Sequence, residues 1–523
     1  MGNGYPRRAK PSFLNLHGAF ADGEACQTLT FVMTTTADQL FAELQTIVGP
    51  EHARRDGDLS AFEQDWRQLA KGKALAVVLP ADTAQVAAVV QACAAARRSG
   101  LAVSIVPQGG NTGLVLGGTP DDSGLQVVLS LRRMQTIRAI DRQNLSMTVD
   151  AGCILQNLQE AAAAEGLLFP LSLAAEGSCV IGGNLATNAG GTQVVRYGNT
   201  RDLCLGLEVV TADGAIWCGL SGLRKNNTGY DLKHLMIGSE GTLGIITGAT
   251  MKLYPQPVAT CCAWLAVDSL DHAVELLALS QKHLASGLTG FEAMERDALA
   301  LVEKHMPHLR MPVALAAGQA FILLEYSDDE SQERARTRLE GLLEAAFEAE
   351  LLTDGAVAQS MEQAQRMWDI REHITLAQAA EGLHLKHDVS VPSSQIPAFV
   401  RKAKAELAKV LPDARVINFG HLGDGNLHFN VQAPEGADAR DFVDTQQRVA
   451  ERAIYDCVNA FGGSFSAEHG VGRLKRHDLA QYKDPVALSM MRSIKQALDP
   501  LNLLNPHVLL PEVAATSPEV AHD

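Results

Sequence analysis

The stretch Val416-Ile-Asn-Phe-Gly-His421-Leu-Gly-Asp-Gly-Asn-Leu-His428-Phe-Asn430 holds two histidines on alternating runs either side of Asp424-Gly425. Asp-Gly favours a two-residue hairpin turn, and that turn sets 423 against 426, 422 against 427 and His421 against His428. Opposed residues share a sheet face with Cβ atoms about 5 Å apart, close enough for both imidazoles to reach one metal ion. Two unrelated hairpin histidines are the plain alternative. Downstream, Ser464-Phe-Ser-Ala-Glu468-His469-Gly-Val-Gly472 supplies a carboxylate that would complete a His₂-carboxylate set. Such a set suits Zn²⁺ or another borderline divalent ion with open positions for a substrate. In an extended segment, neighbouring side chains point to opposite faces. His469 is therefore expected to be a poor ligand and a better general base.

Three glycine-rich loops form a second constellation: Pro107-Gln-Gly-Gly-Asn-Thr-Gly113, Ile181-Gly-Gly-Asn-Leu-Ala-Thr-Asn-Ala-Gly-Gly191 and Gly238-Ser-Glu-Gly-Thr-Leu-Gly244. Glycine lets successive backbone N–H groups converge into a nest that takes phosphate oxygens without Lys or Arg. One such loop is usually a tight turn; three within one half of the chain suggest an extended ligand, and a dinucleotide has that shape. The Rossmann and Walker A patterns are both absent, which argues against a nicotinamide dehydrogenase or a P-loop NTPase.

Candidate cations lie between these groups. Trp368-Asp-Ile-Arg371-Glu-His-Ile-Thr375 reads as one helix with Arg371 and Thr375 on the same face, and Lys386 starts a strand over 385–391. A lone Arg or Lys is ordinarily a solvated charge, and His373, His384 and His387 read as surface histidines.

The elements that must position these residues change character along the chain. The first half shows a strand at 75–79, a helix from Asp82 or Thr83 to Arg98, strands at 103–107, 127–131, 147–151, 205–211 and 215–218, and one clear helix at 154–165. Pro255 and Pro257 mark a boundary. Beyond it, strands at 260–267 and 320–327 alternate with helices at 270–283, 330–349, 394–409, 438–461 and 485–498, around a hairpin at 414–433. The predicted class is α+β, with helices covering one face of the second sheet.

The length of 523 residues suggests about three domain-sized units. A net charge of −16 and 5% aromatics argue against nucleic acid as a partner. No apolar run is long enough for a transmembrane segment. Nine sparse cysteines without paired CxxC motifs point to reduced thiols and a cytoplasmic protein. Residues 1–33 read as a disordered extension and the last ten or so as a loose tail.

PQGGNTGL, FPLSLAAEGSCVIGGNLATNAGGTQVVRYGN and RKNNTGYDLKHLMIGSEGTLGIIT together resemble the FAD-binding domain of the vanillyl-alcohol-oxidase/p-cresol-methylhydroxylase flavoproteins, closest to the D-2-hydroxyglutarate and D-lactate dehydrogenase branch. The resemblance runs from about Asp65 to the C-terminus. It implies a two-subdomain FAD-binding domain of the p-cresol-methylhydroxylase (PCMH) type at 34–256, an α+β substrate domain with an antiparallel sheet at 257–465, and a C-terminal helical return at 466–523. It further implies that Pro107, Gly109, Gly110, Asn111, Thr112 and Gly113 wrap the FAD pyrophosphate. Pro170, Gly177, Ser178, Gly182, Gly183, Asn188, Gly190, Tyr197, Gly198, Gly241, Ile246 and Asn505 would complete the flavin pocket. Asn111 stands near where relatives with covalent flavin carry a histidine, so the FAD is expected to be non-covalent. His507 replaces the family's usual Gly, and Ser172 and Glu176 replace an Asp and a Lys.

By the same resemblance, His421, His428 and Glu468 match the metal ligands, with Zn²⁺ expected. His469 matches the catalytic histidine, and Arg371, Thr375, Lys386, Asn430 and His469 the substrate contacts. The implied reaction oxidises a D-2-hydroxy acid, most simply D-2-hydroxyglutarate, with hydride passing to flavin N5. A D-lactate or glycolate dehydrogenase and a non-catalytic FAD-bearing subunit remain the alternatives. The implied partners are a small anionic 2-hydroxy acid and an electron acceptor such as electron-transfer flavoprotein, a quinone or a cytochrome, with homodimerisation open.

Overall fold

The computed structural model describes residues 34–511; the expected N-terminal extension and most of the tail lie outside the described residues. The first part begins with a strand at Ala74–Val78, every residue of it buried, followed by a helix at Thr83–Arg98. Asp82 caps that helix by accepting the Gln85 N–H, and the helix buries Val86, Val89, Val90 and Cys93. Ala74–Val78, Gln126–Ser130 and Ser104–Gln108 pair in parallel in that order, with Ala53–Arg54 antiparallel on the edge. A second sheet is wholly antiparallel, in the order Ile137–Asp141, Ser146–Asp150, Ile245–Lys252, Cys204–Val210 and Ile216–Gly219. One hydrophobic core joins these two sheets, and it includes Leu503 and Leu504 from the far end of the chain.

Beyond Pro255 an antiparallel sheet runs in the order Asp354–Val357, Ala259–Val267, Ala320–Asp328, Leu288–Glu295, Arg415–Gly420, Asn426–Gln432 and His384–Leu385. Asp388–Ser390 also pairs with Asn426–Gln432. Leu270–Leu284, Gln332–Glu348, Ile396–Val410 and Ala439–Ala460 contribute buried apolar residues to one core cluster of this sheet. Arg296–His305, Met361–Glu372 and Ile374–Glu381 contribute to another, with Trp264 and Phe321. The sheet is therefore covered on both faces, where helices on one face were expected.

Several elements differ from the sequence reading. The strand Leu288–Glu295 and helix Arg296–His305 went unread, because Thr289-Gly290 breaks the apolar run. The second glycine loop contains a helix, Ile181–Thr187, despite two glycines. The expected single helix around Arg371 is two, Met361–Glu372 and Ile374–Glu381, meeting at His373. The expected strand 385–391 breaks into His384–Leu385 and Asp388–Ser390.

Candidate active site

The three glycine loops converge on one cleft. Pro107, Gly109, Gly110, Asn111, Thr112, Gly113, Gly182, Gly183, Gly241 and Ile246 line it, and so does His469 from the C-terminal segment. The residue types fit a dinucleotide cradle. A Cβ on Gly110 would collide with the Ser178 carbonyl, so only glycine lets the first and second loops meet. At Gly113 a Cβ would meet nothing within 4 Å, so the loop leaves open space there. Asn111 adopts a positive φ of 59°, and its amide is spent on the carbonyls of Ala61 and Gln64.

The remaining residues expected to contact flavin are not in the lining of the cleft. Asn188 ends the Ile181–Thr187 helix in a left-handed conformation and accepts the Arg201 N–H. Tyr197 packs against Tyr254 at 4.6 Å, and Gly198 closes its short helix. Gly190 lies against the Glu468 carboxylate, Pro170 is buried, and Gly177 and Ser178 are exposed. Asn505 donates to the carbonyls of Gly117 and Glu240, tying the C-terminal segment to the first and third loops.

The histidine hairpin is longer than the sequence implied. Its strands end at Gly420 and resume at Asn426, leaving a five-residue loop, and the register opposes Phe419, not His421, to His428. The His421 carbonyl accepts the N–H groups of Asp424, Gly425 and Asn426, which curls the loop and replaces the expected two-residue turn. The two imidazoles still meet edge to face, with ring centroids 5.5 Å apart. His421 is set by a different neighbour: Gly420 pairs with Ala293, and the next residue along, Glu292, accepts from His421 Nδ1 at 2.7 Å.

Glu292 is 0% exposed, and its other oxygen takes Arg371 Nε at 2.9 Å and Nη2 at 2.8 Å. Burial opposes its ionisation, yet His421 and Arg371 hold its pKa below the usual carboxylate range. Against the pull of burial, the same carboxylate lifts His421 to about 9. Burial and the neighbouring His421 push His428 the other way, toward the neutral form that ligates a cation.

Glu468 and His469 are brought in by Asp388. Ser390 and Ser464 exchange backbone hydrogen bonds, and the Asp388 carboxylate then accepts the N–H of Glu468 at 3.0 Å and of His469 at 2.9 Å. Asp388 itself pairs with His428 across the strands. The segment therefore turns around one carboxylate, and the expectation that Glu468 and His469 point apart is overturned. Glu468 Oε1 lies 4.0 Å from His428 Nε2 and 3.7 Å from His469 Nε2. One ligand atom from each of Asp388, His428, Glu468 and His469 falls within 4.8 Å of the others. These donors, with the His421 ring beside them, fit a divalent cation of the N/O class. Burial and Asp388 raise Glu468 to about 7, and burial lowers His469 to about 4, so His469 is neutral and able to accept a proton near pH 7.

Among the expected substrate contacts, Arg371 is 7% exposed, gives Nε and Nη2 to Glu292 and lies over the Phe419 ring. Thr375 is exposed in the first turn of its helix. Lys386 is half-buried and forms no ion pair among the described residues, and burial followed by the charge of Arg67 lowers it to about 8. Asn430 is spent structurally: its Oδ1 accepts the His387 N–H and its Nδ2 donates to Gln378. His387 is not a surface histidine; it is buried, lowered by desolvation to about 3, and bonded through Nδ1 to the Phe429 carbonyl. His373 and His384 are half-buried.

Sequence reasoning missed Glu292, Asp388 and Glu240, whose carboxylate accepts the N–H groups of Val471 and Gly472. Glu292 lies in the strand Leu288–Glu295 and Asp388 in the three-residue strand Asp388–Ser390, with no motif around either. Glu240 sat inside a quoted glycine loop, and its charge among glycines was the available signal.

A cleft walled by three glycine loops, with His469 of an acid–base cluster in its lining, fits an FAD-linked oxidoreductase. Residues 74–219 match the FAD binding domain family, and residues 256–509 match the C-terminal domain of FAD linked oxidases. The chain is 37% identical over 467 residues to the mitochondrial D-2-hydroxyglutarate dehydrogenase of Arabidopsis thaliana, covering 89% of this chain and 80% of that protein. It is 40% identical over 453 residues to the D-2-hydroxyglutarate dehydrogenase of Xanthomonas citri pv. viticola, covering 86% and 92%. In fold it is similar to p-cresol methylhydroxylase, with a TM-score of 0.69, 16% identity and coverage of 90% and 96%. The chain belongs to the PCMH-type FAD-linked oxidoreductases, in the family that contains the D-2-hydroxyglutarate dehydrogenases.

The cytoplasmic expectation is overturned here, because the Arabidopsis relative and that of Danio rerio are both named mitochondrial. Free thiols, buried among the described residues except at Cys218, are no address, so cysteine usage could not decide the compartment. No helix among the described residues is long and apolar enough to cross a membrane.

Proposed function

We propose that the protein oxidises D-2-hydroxyglutarate to 2-oxoglutarate at the cluster of His421, His428, Glu468 and His469, with FAD held non-covalently in the glycine cleft. The FAD-binding part spans 34–256, the substrate part 257–465, and the described segment from 466 to 511 returns to the flavin side. The observation that carries the reading is the presence of His469 in the lining of the flavin cleft itself, within 3.7 Å of Glu468.

His421, through the nitrogen that Glu292 leaves open, His428 and Glu468 would hold a divalent ion such as Zn²⁺. When bound, FAD supplies the hydride acceptor and the ion supplies Lewis acidity at the 2-hydroxyl. His469 takes the hydroxyl proton, a role typically worth 10²–10⁴-fold. Asp388 fixes the His469 backbone and stands 3.5 Å from its Nδ1, which keeps the ring oriented. Lys386, Arg371 and Thr375 bind the substrate carboxylates, and Asn430 supports the strand beneath them. The names of the curated relatives support the choice of substrate.

The test is anaerobic flavin bleaching by a panel of D- and L-2-hydroxy acids. D-2-hydroxyglutarate is expected to reduce the flavin fastest, His469→Gln to stay yellow, and exhaustive chelation to abolish bleaching. Equal reduction by D-lactate, or full rates after chelation, would overturn the respective parts of the proposal.

A further inference from the structure

The segment from Glu468 to Gly472 carries the proposed base, and four of its backbone N–H groups end on two buried carboxylates. Asp388, in the sheet that bears the histidine hairpin, takes those of Glu468 and His469 at 3.0 and 2.9 Å. Glu240 takes those of Val471 and Gly472, each on a separate oxygen and each at 2.7 Å. Such short bonds to a carboxylate are charge-assisted and belong to the strong class. Asp388 has a task in the reaction proposed above; Glu240 as yet has none.

Glu240 belongs to the third glycine loop and lines the same cleft as His469. It is 8% exposed, takes a positive φ of 53°, and donates its own N–H to the Ala186 carbonyl of the second loop at 2.8 Å. Its place is therefore set by the walls of the cleft and not by the sheet that holds Asp388. Gly470, at a φ of 81°, makes the reach possible, because a Cβ there would stand 2.9 Å from Glu240 Oε1. Gly472 comes next to the chain that follows the first loop: a Cβ on it would stand 2.1 Å from the Val115 carbonyl oxygen, which accepts the Arg473 N–H at 2.9 Å. Glycines on both sides of Val471 leave this backbone many conformations unless its N–H groups are engaged. Asp388 fixes His469 against His428 and Glu468. It leaves open where the ring stands against the flavin loops.

We propose that Glu240 is a positioning residue, which registers His469 to the flavin cleft by holding the chain immediately after it. The ring then meets the substrate hydroxyl while the substrate lies against the cleft. The inference rests on the dehydrogenase reading above and adds the contact that ties its base to the cofactor side. A misplacement of about 1 Å in such a group costs up to about 10²-fold in rate.

The test compares wild type, Glu240→Gln, Gly470→Ala and the double variant as FAD-loaded holoenzymes, with rates taken per bound flavin. Glu240→Gln keeps the side-chain shape but turns an amide NH₂ toward a backbone N–H. Hydrogen–deuterium exchange over a peptide at 470–475 should quicken about tenfold, the loss of one hydrogen bond, while a peptide holding Asp388–Ser390 stays unchanged. Flavin reduction at saturating D-2-hydroxyglutarate should slow by about 30-fold, with the half-saturating concentration and metal per flavin within about twofold of wild type. Gly470→Ala crowds the same oxygen, so the double variant should be no slower than the slower single one. Unchanged exchange over 470–475, a loss confined to KM, or losses that multiply in the double variant would overturn the role of Glu240. So would a Glu240→Gln protein that sheds FAD yet reduces its remaining flavin at the wild-type rate. A wild-type flavin that no 2-hydroxy acid bleaches would instead overturn the dehydrogenase reading, a result the exchange measurement does not depend on.

Discussion

Glu292 serves two groups with different tasks: one oxygen orients His421 through Nδ1, and the other holds Arg371 by two of its donors. A ring whose second nitrogen is pinned by a carboxylate is fixed in tautomer and orientation as a ligand. Glu292→Gln should lower divalent metal per flavin, read by elemental analysis. It should also cost about 3 kcal/mol in denaturant unfolding, because the Arg371 charge stays buried without its partner. Lys386 gives a pH prediction. With its pKa lowered to about 8, it is cationic below that value and neutral above it. KM for the dianionic substrate should therefore rise toward tenfold per unit above pH 8, and Lys386→Met should remove that limb from the KM profile.

At the scale of elements, two neighbouring glycines separate folding from binding. Gly110 approaches the Ser178 backbone so closely that a methyl group must displace a loop, whereas a methyl group at Gly113 meets no protein atom. Gly110→Ala should lower Tm and retain about tenfold less FAD, as an overpacked contact would. Gly113→Ala should leave the Tm of the apoprotein unchanged while weakening FAD binding, checked by flavin fluorescence titration. The histidine hairpin shows what local reading can miss. Asp424-Gly425 does mark the turn, but three N–H groups converge on the His421 carbonyl and lengthen the loop. A shift of this kind changes every cross-strand partner. His421 found Glu292 of Leu288–Glu295, a strand that no periodicity announced.

Across the whole molecule, the chain's end returns to its beginning. Leu503 and Leu504 are 0% exposed in the first core, and Ile105 exchanges backbone hydrogen bonds with Leu503 and Asn505. Leu504→Ala should cost about 3 kcal/mol by leaving a cavity under the first glycine loop. It should also release FAD at a lower denaturant concentration than wild type, followed by flavin fluorescence. The net charge of −16 is not uniform through the molecule: Arg371 is buried on Glu292, and Lys386 is half-buried. Net charge, a property of the whole surface, therefore says nothing about the substrate.

The sequence by itself determined the glycine loops, the Glu468-His469 pair and the hairpin histidines, because each rests on short-range chemistry: turns, nests and alternation. It also determined the α+β class, since buried strands and capped amphipathic helices write their periods locally. What only the tertiary structure decided is which charge meets which. Asp388 turns Glu468 and His469 toward His428, and Glu292 takes two donors of Arg371. Those pairings join residues far apart in the chain, and no local spacing encodes them.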